Sequence, residues 1–253
     1  MDLQFRSQAS RRTMRGMNLL SFAHRLGLLT LLTVVGCHAP PKESAPPDPP
    51  PTLRALYDVP PLQAISASRT ALVLVDFQQE FFSGKLPVDR GTDALQHAAR
   101  LKRWAHEHDV LVVGVRNVAA RPKSPIFAES SPTTAFMPDL EPGANDWLVV
   151  KHQAGAFSKT DLHARLQARG IHTIIVAGIM THLAVDTTAR DAAVLGYRVV
   201  VAADACATRP LPSPIDGTVI DAAELHRVAL ASLADRFAEI RRVDEILRLP
   251  FQV

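Results

Sequence analysis

The chain has few cysteines and little net charge, and both scarcities exclude whole classes of protein. Its 253 residues include only Cys37 and Cys206, too few for the disulfide framework of many small exported domains. The formal net charge is +3 and comes from the five arginines of residues 1–36, because residues 37–253 carry 23 basic and 24 acidic side chains. A basic nucleic-acid-binding face is thereby excluded, and no nucleic-acid partner is expected. Hydrophobic residues make up 47%, enough for one buried core.

The N-terminal segment lacks an apolar run long enough to cross a bilayer core of roughly 30 Å. Residues 26–35 form a ten-residue apolar run behind several arginines, a pattern typical of a signal peptide. The residues from Val34 to Cys37 resemble a bacterial lipobox, in which the cysteine is lipidated and becomes the new N-terminus. The alternative is an ordinary secretory signal with an incidental cysteine.

A proline-rich stretch follows the predicted lipidation site. Seven prolines between Ala39 and Thr52 predict an extended, semi-rigid spacer. The sequence therefore predicts three parts: a lipoprotein signal peptide at residues 1–36, the lipidated Cys37 with its tether at 37–52, and a globular domain at 53–253. We expect an exported bacterial lipoprotein, anchored through its N-terminal lipid on the periplasmic or cell-surface side of a membrane.

Residues 53–253 alternate short β-branched runs with helical patterns, which indicates a parallel sheet covered by helices on both faces. The fold class predicted is α/β, a single domain with a doubly wound, mainly parallel six-stranded sheet of Rossmann-like type. The predicted strands are Ala71 to Val75, Val110 to Val115, Trp147 to Val150, Thr173 to Ala177, Arg198 to Ala202 and Glu239 to Val243. The predicted helices are Thr92 to Glu107, Thr160 to Ala168, His182 to Leu195 and Ala222 to Phe237.

Ligands of such sheets bind outside the carboxyl ends of the strands, so the residues that follow each strand are the candidates for chemistry. Asp76 follows the first strand, Lys151 the third, the segment 178–182 the fourth and Asp204 the fifth. The first strand is followed by no glycine-rich phosphate loop, which argues against a nucleotide cofactor. The loop from Asn117 to Asp146 is long enough to form a lid or to determine specificity.

Asp76 and Lys151 gain meaning as a pair. Alone, the aspartate is a common strand-end turn residue and the lysine a common solvated side chain. At neighbouring strand ends the lysine can stabilise the carboxylate or a developing anion, while the carboxylate handles a proton. A helix beginning near Leu183 would add backbone N–H groups that stabilise negative charge.

The remaining titratable groups predict no metal site. His106 and His108 are two residues apart on a helix and cannot share a face. Cys206 is interpreted as a small buried residue rather than a reactive thiol. We therefore expect neither a metal nor an organic cofactor.

Four segments in order and spacing resemble the isochorismatase-like cysteine hydrolase superfamily, which includes nicotinamidases, N-carbamoylsarcosine amidases, streptothricin hydrolases and isochorismatases. The resemblance covers residues 69–244. Its segments are Leu74-Val75-Asp76-Phe77-Gln78-Gln79-Glu80-Phe81-Phe82, then Val149-Val150-Lys151 with Ala156-Phe157 and Thr160-Asp161-Leu162, then residues 178–192 beginning Gly178-Ile179-Met180-Thr181-His182, and Asp204-Ala205-Cys206-Ala207-Thr208-Arg209.

In this superfamily an Asp, a Lys and a Cys act together, and the resemblance assigns the first two roles to Asp76 and Lys151. The position of the nucleophilic Cys is occupied by Ala184, which has no atom that could attack a carbonyl, so a covalent cysteine mechanism is closed. The resemblance also implies that the backbone N–H groups from Thr181 to Ala184 stabilise an anion, and that a non-proline cis peptide precedes Thr181. The metal-ligand pair of the nicotinamidase branch is absent from residues 116–120.

Three explanations of Ala184 stay open: noncovalent hydrolysis by water with the Asp as general acid, a pseudoenzyme that keeps the crevice for binding, or a deliberate Cys→Ala substitution. The prediction is a hydrolase of a small molecule, cleaving an amide C–N or a vinyl-ether bond; the alternative is an inactive small-molecule-binding lipoprotein. Homo-oligomers are expected, as is common in the superfamily. The expected walls of the substrate pocket are Phe77, Phe82, Phe157 and His182.

Overall fold

A computed structural model describes residues 48–252 of the chain. Six parallel strands form the central sheet in the order β3-β2-β1-β4-β5-β8, with β1 (Thr70–Val75) and β4 (Thr173–Ile179) in the middle. The other strands are β2 (Leu111–Asn117), β3 (Trp147–Lys151), β5 (Arg198–Ala207) and β8 (Glu239–Arg241). This sheet confirms the predicted doubly wound α/β domain.

Helices cover both faces of the sheet, because its strands are apolar on both sides. One face of the sheet packs against α2 (Gly91–Glu107) and α6 (Val243–Leu247). The other face packs against α3 (Leu162–Ala168), α4 (Asp186–Val194) and α5 (Ala222–Arg236). All six residues of β1 are buried, as expected for a central parallel strand.

Several details differ from the sequence prediction. The strand predicted to end at Val243 stops at Arg241, because Val243 begins α6 after an N-terminal cap at Arg242. The predicted helix from His182 to Leu195 begins instead as a π-helical turn, Thr181–Val185, that continues into α4. The sequence prediction missed the short helix α1 (Leu53–Leu56) and the hairpin of β6 (Leu211–Pro212) and β7 (Val219–Ile220).

Strand β5 extends further than predicted and contains Asp204. A register shift between Val176 and Gly178 lets β5 pair again at its end, where Cys206 lies opposite Gly178. Asp204 is therefore inside the strand, and its Oδ1 accepts a hydrogen bond of 2.8 Å from the Val243 backbone N–H. Its role is structural, at the junction with α6.

The long loop between β2 and β3 packs over the carboxyl edge of the sheet. Two short 3-10 turns, Pro132–Thr134 and Pro138–Leu140, each begin with a proline that fixes φ.

Within residues 48–252, no helix is long and apolar enough to cross a membrane.

Candidate active site

Asp76 lies at the point where β1 ends and is buried, with 3% of its surface exposed. Its backbone adopts the left-handed conformation, with φ of 55°, and its N–H donates to the Val115 carbonyl at 3.0 Å. Gly178 of the neighbouring strand makes this close packing possible, because a Cβ there would lie 2.4 Å from the Val75 carbonyl oxygen. The chain turns sharply here and directs a carboxylate into the carboxyl edge of the sheet.

Lys151, the last residue of β3, forms a buried ion pair with Asp76. Its Nζ lies 2.7 Å from Asp76 Oδ2 and also donates to the carbonyls of Gln153 and Ala154, each at 3.0 Å. The sequence analysis placed Asp76 and Lys151 at neighbouring strand ends, and this is wrong: β2 lies between β1 and β3. The backbones of β1 and β3 are about 10 Å apart. The lysine side chain, the aspartate side chain and the hydrogen bond between them together span this gap.

The electrostatics of Asp76 favour retention of a proton. Burial raises the pKa of Asp76 to about 6, although the charge of Lys151 and its hydrogen bond act to lower it. Asp76 Oδ2 holds the lysine, whereas the buried Oδ1 has no hydrogen-bond partner within the described part of the chain. One carboxylate oxygen is thus held by the lysine, and the other is a buried acceptor without a partner in the described part of the chain.

The π-helical turn Thr181–Val185 places Ala184 at this edge, where it is buried. The non-proline cis peptide joins Ile179 and Met180, so the expectation of a cis bond directly before Thr181 is wrong by one residue. The Leu183 and Val185 N–H groups donate to the Met180 carbonyl. Leu183 is therefore removed from the expected set of anion-stabilising donors, in which Thr181 and Ala184 stay as predictions.

Two histidines brace the turn through hydroxyl groups. The Thr181 hydroxyl and His226 Nδ1 of α5 are 2.8 Å apart, and His182 Nδ1 forms a hydrogen bond with the Thr208 hydroxyl. Burial lowers the pKa of both histidines, assisted by Arg90 near His226 and by Arg209 near His182, while Asp186 partly opposes the effect at His182. His226 had no sequence signal, because only the tertiary packing of α5 brings it here. Thr208 lies in the last of the four resembling segments, but its contact with His182 appears only in the folded chain.

The aromatic residues expected in the pocket wall occupy other surroundings. Phe77 is completely buried in the hydrophobic core, and Phe82 packs half-buried against the same core. Phe157 stacks on Tyr197, with ring centroids 5.9 Å apart. His182 is the one of the four predicted wall residues that contacts the end of β5 beside the π-helical turn.

A cleft of about 620 Å³ opens next to Lys151. It is lined by residues 118–120, Pro122, Glu129, Ser130 and His152, all from the long loop or directly after β3. The Val118 N–H donates to the Lys151 carbonyl, and His152 Nδ1 lies 2.7 Å from the Val118 carbonyl. The long loop therefore forms one wall of a cleft at the carboxyl edge of the sheet, and Asp76, Lys151 and Ala184 are not among the residues that line this cleft.

Gln78 joins this loop to the turn after β1. Its side-chain amide donates to the carbonyls of Asn117 and Thr134, and its Oε1 accepts from the Asn117 N–H at 2.8 Å. The Met137 N–H adds a bond of 2.8 Å to the Phe77 carbonyl. These bonds fix the loop close to Asp76, and no sequence pattern indicated this role of Gln78.

Cys206 has the environment of an inert residue. It is buried, and burial raises the pKa of its thiol to about 12, so the thiolate is scarce at neutral pH. No group of three or more His, Cys, Asp or Glu side chains suited to a metal ion occurs in residues 48–252.

The family model described as the isochorismatase domain matches residues 70–245. A secreted isochorismatase effector of Verticillium dahliae is 32% identical over 190 residues, covering 75% of this chain and 95% of that protein. A streptothricin hydrolase of Streptomyces noursei is 32% identical over 182 residues, covering 72% of this chain and 64% of that one. The crystal structure of an isochorismatase from Pseudomonas putida KT2440 superposes with a TM-score of 0.70 at 33% identity, covering 78% of this chain and 98% of that one. This chain belongs to the isochorismatase family of hydrolases.

Proposed function

We propose that the protein hydrolyses a small enol ether, with water as the nucleophile and Asp76 as the general acid. The covalent route of cysteine hydrolases is closed, because Ala184 stands at the nucleophile position and the remaining thiol of the domain, Cys206, is buried with a raised pKa. A reaction of this site must therefore proceed without an enzyme-bound acyl intermediate.

The observation that carries the proposal is the state of Asp76. A carboxyl with a pKa of about 6 is protonated in a useful fraction of molecules near neutral pH, and a general acid works best when its pKa lies near the working pH. Lys151 holds Oδ2 at 2.7 Å and leaves Oδ1 to face the substrate. The lysine also keeps the carboxylate in place after the proton has left.

The reaction proceeds in three balanced steps. Protonated Asp76 transfers its proton to the terminal carbon of the enol ether, which leaves a cation stabilised by the ether oxygen. Water adds to the cationic carbon and returns a proton to the Asp76 carboxylate. The resulting hemiketal breaks its carbon–oxygen bond as a proton passes to the departing oxygen, giving an alcohol and a ketone. No covalent bond to the protein forms, so an alanine at position 184 is sufficient.

Two guanidinium groups favour an anionic substrate. Arg116 at the end of β2 and Arg209 just beyond β5 each have a buried Nε without a hydrogen-bond partner within residues 48–252. Both lie at the carboxyl edge, where an acid group of the substrate would supply the missing acceptor. Substitution of either arginine by Met is expected to raise KM more than it lowers kcat.

The names of the relatives support both bond types considered for the family. The fungal relative is named as an isochorismatase, which fits an enol-ether substrate, whereas the Streptomyces relative is named as a streptothricin hydrolase, which fits a C–N bond. An amide is the poorer substrate for this chain, because its carbonyl is stabilised by resonance and the chain has Ala184 where a cysteine nucleophile would attack it.

A second candidate is a binding protein without turnover, and Ala184 is the observation that favours it. A hydrolysis panel of isochorismate, nicotinamide, carbamoyl amides and simple esters separates the two. We expect the native protein to cleave the enol ether and Asp76→Asn to lose this activity. If only Ala184→Cys turns over, with an acyl adduct on residue 184 by mass spectrometry, the natural protein is a binder.

We further propose that the domain is exported and anchored by a lipid on Cys37, which lies outside the described residues. The basis is the lipobox-like segment and the proline-rich tether. Labelled palmitate should enter the chain in a bacterial host, and Cys37→Ser should abolish the label and release the protein from membranes.

We also expect a homo-oligomer, which analytical ultracentrifugation would detect as a multiple of the chain mass.

A further inference from the structure

Exposed apolar side chains surround the point where the chain enters the domain. Helix α1 begins at Leu53, capped by the Thr52 hydroxyl, which accepts from the Ala55 N–H. Leu53 is 39% exposed, and Leu56 and Tyr57 are each 63% exposed. A group of neighbouring apolar and aromatic side chains with this exposure is typical of a surface that contacts a membrane or another molecule.

Four arginines accompany these side chains. Arg236, at the end of α5, places its guanidinium 5.0 Å from the centre of the Tyr57 ring. Arg69 and Arg198 line one cleft of about 340 Å³, and Arg198 also donates to the Pro60 carbonyl. The fourth is Arg54, whose pKa is lowered by burial. The charge of Glu239 raises this pKa, and the charges of Arg198 and Arg236 lower it, so these groups lie close to Arg54.

Two acidic groups in the same region are already engaged, whereas Asp58, next to Tyr57, forms no salt bridge within the described residues. Glu239 pairs with Arg241 and accepts from the Leu62 N–H, and Asp235 accepts from the Leu53 N–H. Arg54, Arg69, Arg198 and Arg236 form no salt bridge within residues 48–252. We call these four arginines together with Leu53, Leu56 and Tyr57 the amino-edge patch.

The amino-edge patch lies opposite the catalytic site. Arg69 directly precedes β1, Arg198 begins β5, and Arg236 ends the helix that leads into β8. All strands of the main sheet are parallel, so these positions share the amino edge, whereas Asp76 and Lys151 follow strands at the carboxyl edge. A surface that contacts the patch leaves the catalytic cleft open to solvent.

We propose that the amino-edge patch binds the anionic headgroups of a phospholipid membrane. Its arginines match phosphate charge, and Leu53, Leu56 and Tyr57 match the boundary between headgroups and acyl chains. The predicted tether ends at this patch: residues 37–52, extended at about 3.1 Å per residue, reach about 50 Å. A lipid on Cys37 would therefore keep the patch at high effective concentration near the bilayer, and one acyl signal is commonly joined by a basic surface in stable anchoring.

This inference goes beyond the proposed hydrolase activity and is tested without it. Residues 49–253 form a compact unit of their own, and solved relatives consist of little more than this domain. The soluble chain from Pro49 onward, which lacks Cys37, is mixed at low salt with vesicles of phosphatidylcholine alone or with added phosphatidylglycerol. Sedimentation of the vesicles measures the bound protein, so the result does not depend on lipidation or on turnover.

The domain should sediment with the anionic vesicles and not with the neutral ones, and added salt should release it. Arg54→Gln with Arg236→Gln should lower the affinity by about tenfold or more. The matched control, Arg121→Gln with Lys123→Gln, removes two exposed charges from the loop at the opposite edge and should bind like the native domain. Circular dichroism would verify that both variants fold.

A second pair of variants tests the apolar part of the patch. Leu56→Ser with Tyr57→Ser should weaken binding while all four arginines are kept. Equal binding to both vesicle types, or equal losses in the patch and control variants, would overturn the proposal. So would a dimer of the native domain that dissociates in the serine variant, because the patch would then be covered by a second copy of the chain.

Discussion

Asp76→Asn replaces the buried carboxyl by a neutral amide of the same shape, and its effect on stability should depend on pH. The pKa of Asp76 is raised from 3.8 to about 6 in the folded protein by burial. Below pH 3.8 both the folded and the unfolded chain keep this proton. Between these two values the folded chain keeps it and the unfolded chain releases it, so the free energy of unfolding falls as the pH rises, and above about 6 it stops changing.

The magnitude follows from the size of the shift. A difference of about two pKa units corresponds to about 3 kcal/mol, at 1.36 kcal/mol per unit. The asparagine variant has no such titration. The free energy of unfolding of the variant minus that of the native protein should therefore increase by about 3 kcal/mol from pH 4 to pH 7. This change holds whatever constant cost the variant incurs by leaving Lys151 without its counter-ion.

Urea unfolding of both proteins at several pH values between 4 and 7 measures this difference directly. Asp139→Asn, at an exposed position of the long loop, is the matched control for the removal of a carboxylate. A flat difference for Asp76→Asn, or one that falls as the pH rises, would refute the raised pKa and with it the role of Asp76 as an acid.

Three further substitutions test the packing of the site. Lys151→Met should destabilise the protein by about 3 to 5 kcal/mol at pH 7, and by less at pH 5 where Asp76 is protonated, as denaturant unfolding would show. Gly178→Ala should cost about 3 kcal/mol or more, since its Cβ would meet rigid backbone at 2.4 Å, whereas Gly143→Ala, with 3.5 Å to its nearest neighbour, should change the melting temperature little. Gln78→Met should leave three backbone groups unpaired and release the loop after β2, which limited proteolysis would detect as faster cleavage.

The sheet was predictable because each strand has a local signal. Apolar β-branched runs such as Ala71 to Val75 are typical of strands that are buried on both faces, and their alternation with helical patterns indicates a parallel sheet. The ends of elements were less predictable. Strand β5 continues to Ala207 because it pairs with β4 after a register shift, which no local pattern encodes. Val243 is β-branched and such residues are enriched in strands, yet it is the first residue of helix α6.

The site was predictable to the extent that it depends on strand ends. Asp76 and Lys151 stand directly at the ends of apolar runs, so their proximity could be inferred, although the sequence did not show that a strand separates them. Gln78 and His226 contribute through contacts between residues 39 to 56 positions apart and through the packing of α5, which only the folded chain reveals. Phe157 stacks on Tyr197, and this contact between residues distant in sequence is also seen only in the folded chain.

The most direct test of the central claim is the pH dependence of kcat/KM for the native protein with an enol-ether substrate. The account predicts turnover with alanine at position 184, a rate that falls tenfold per pH unit above about pH 6 as Asp76 loses its proton, and no turnover by Asp76→Asn. A native protein that is inactive at every pH while Ala184→Cys is active would contradict it, as would a native rate that is independent of pH from 5 to 8.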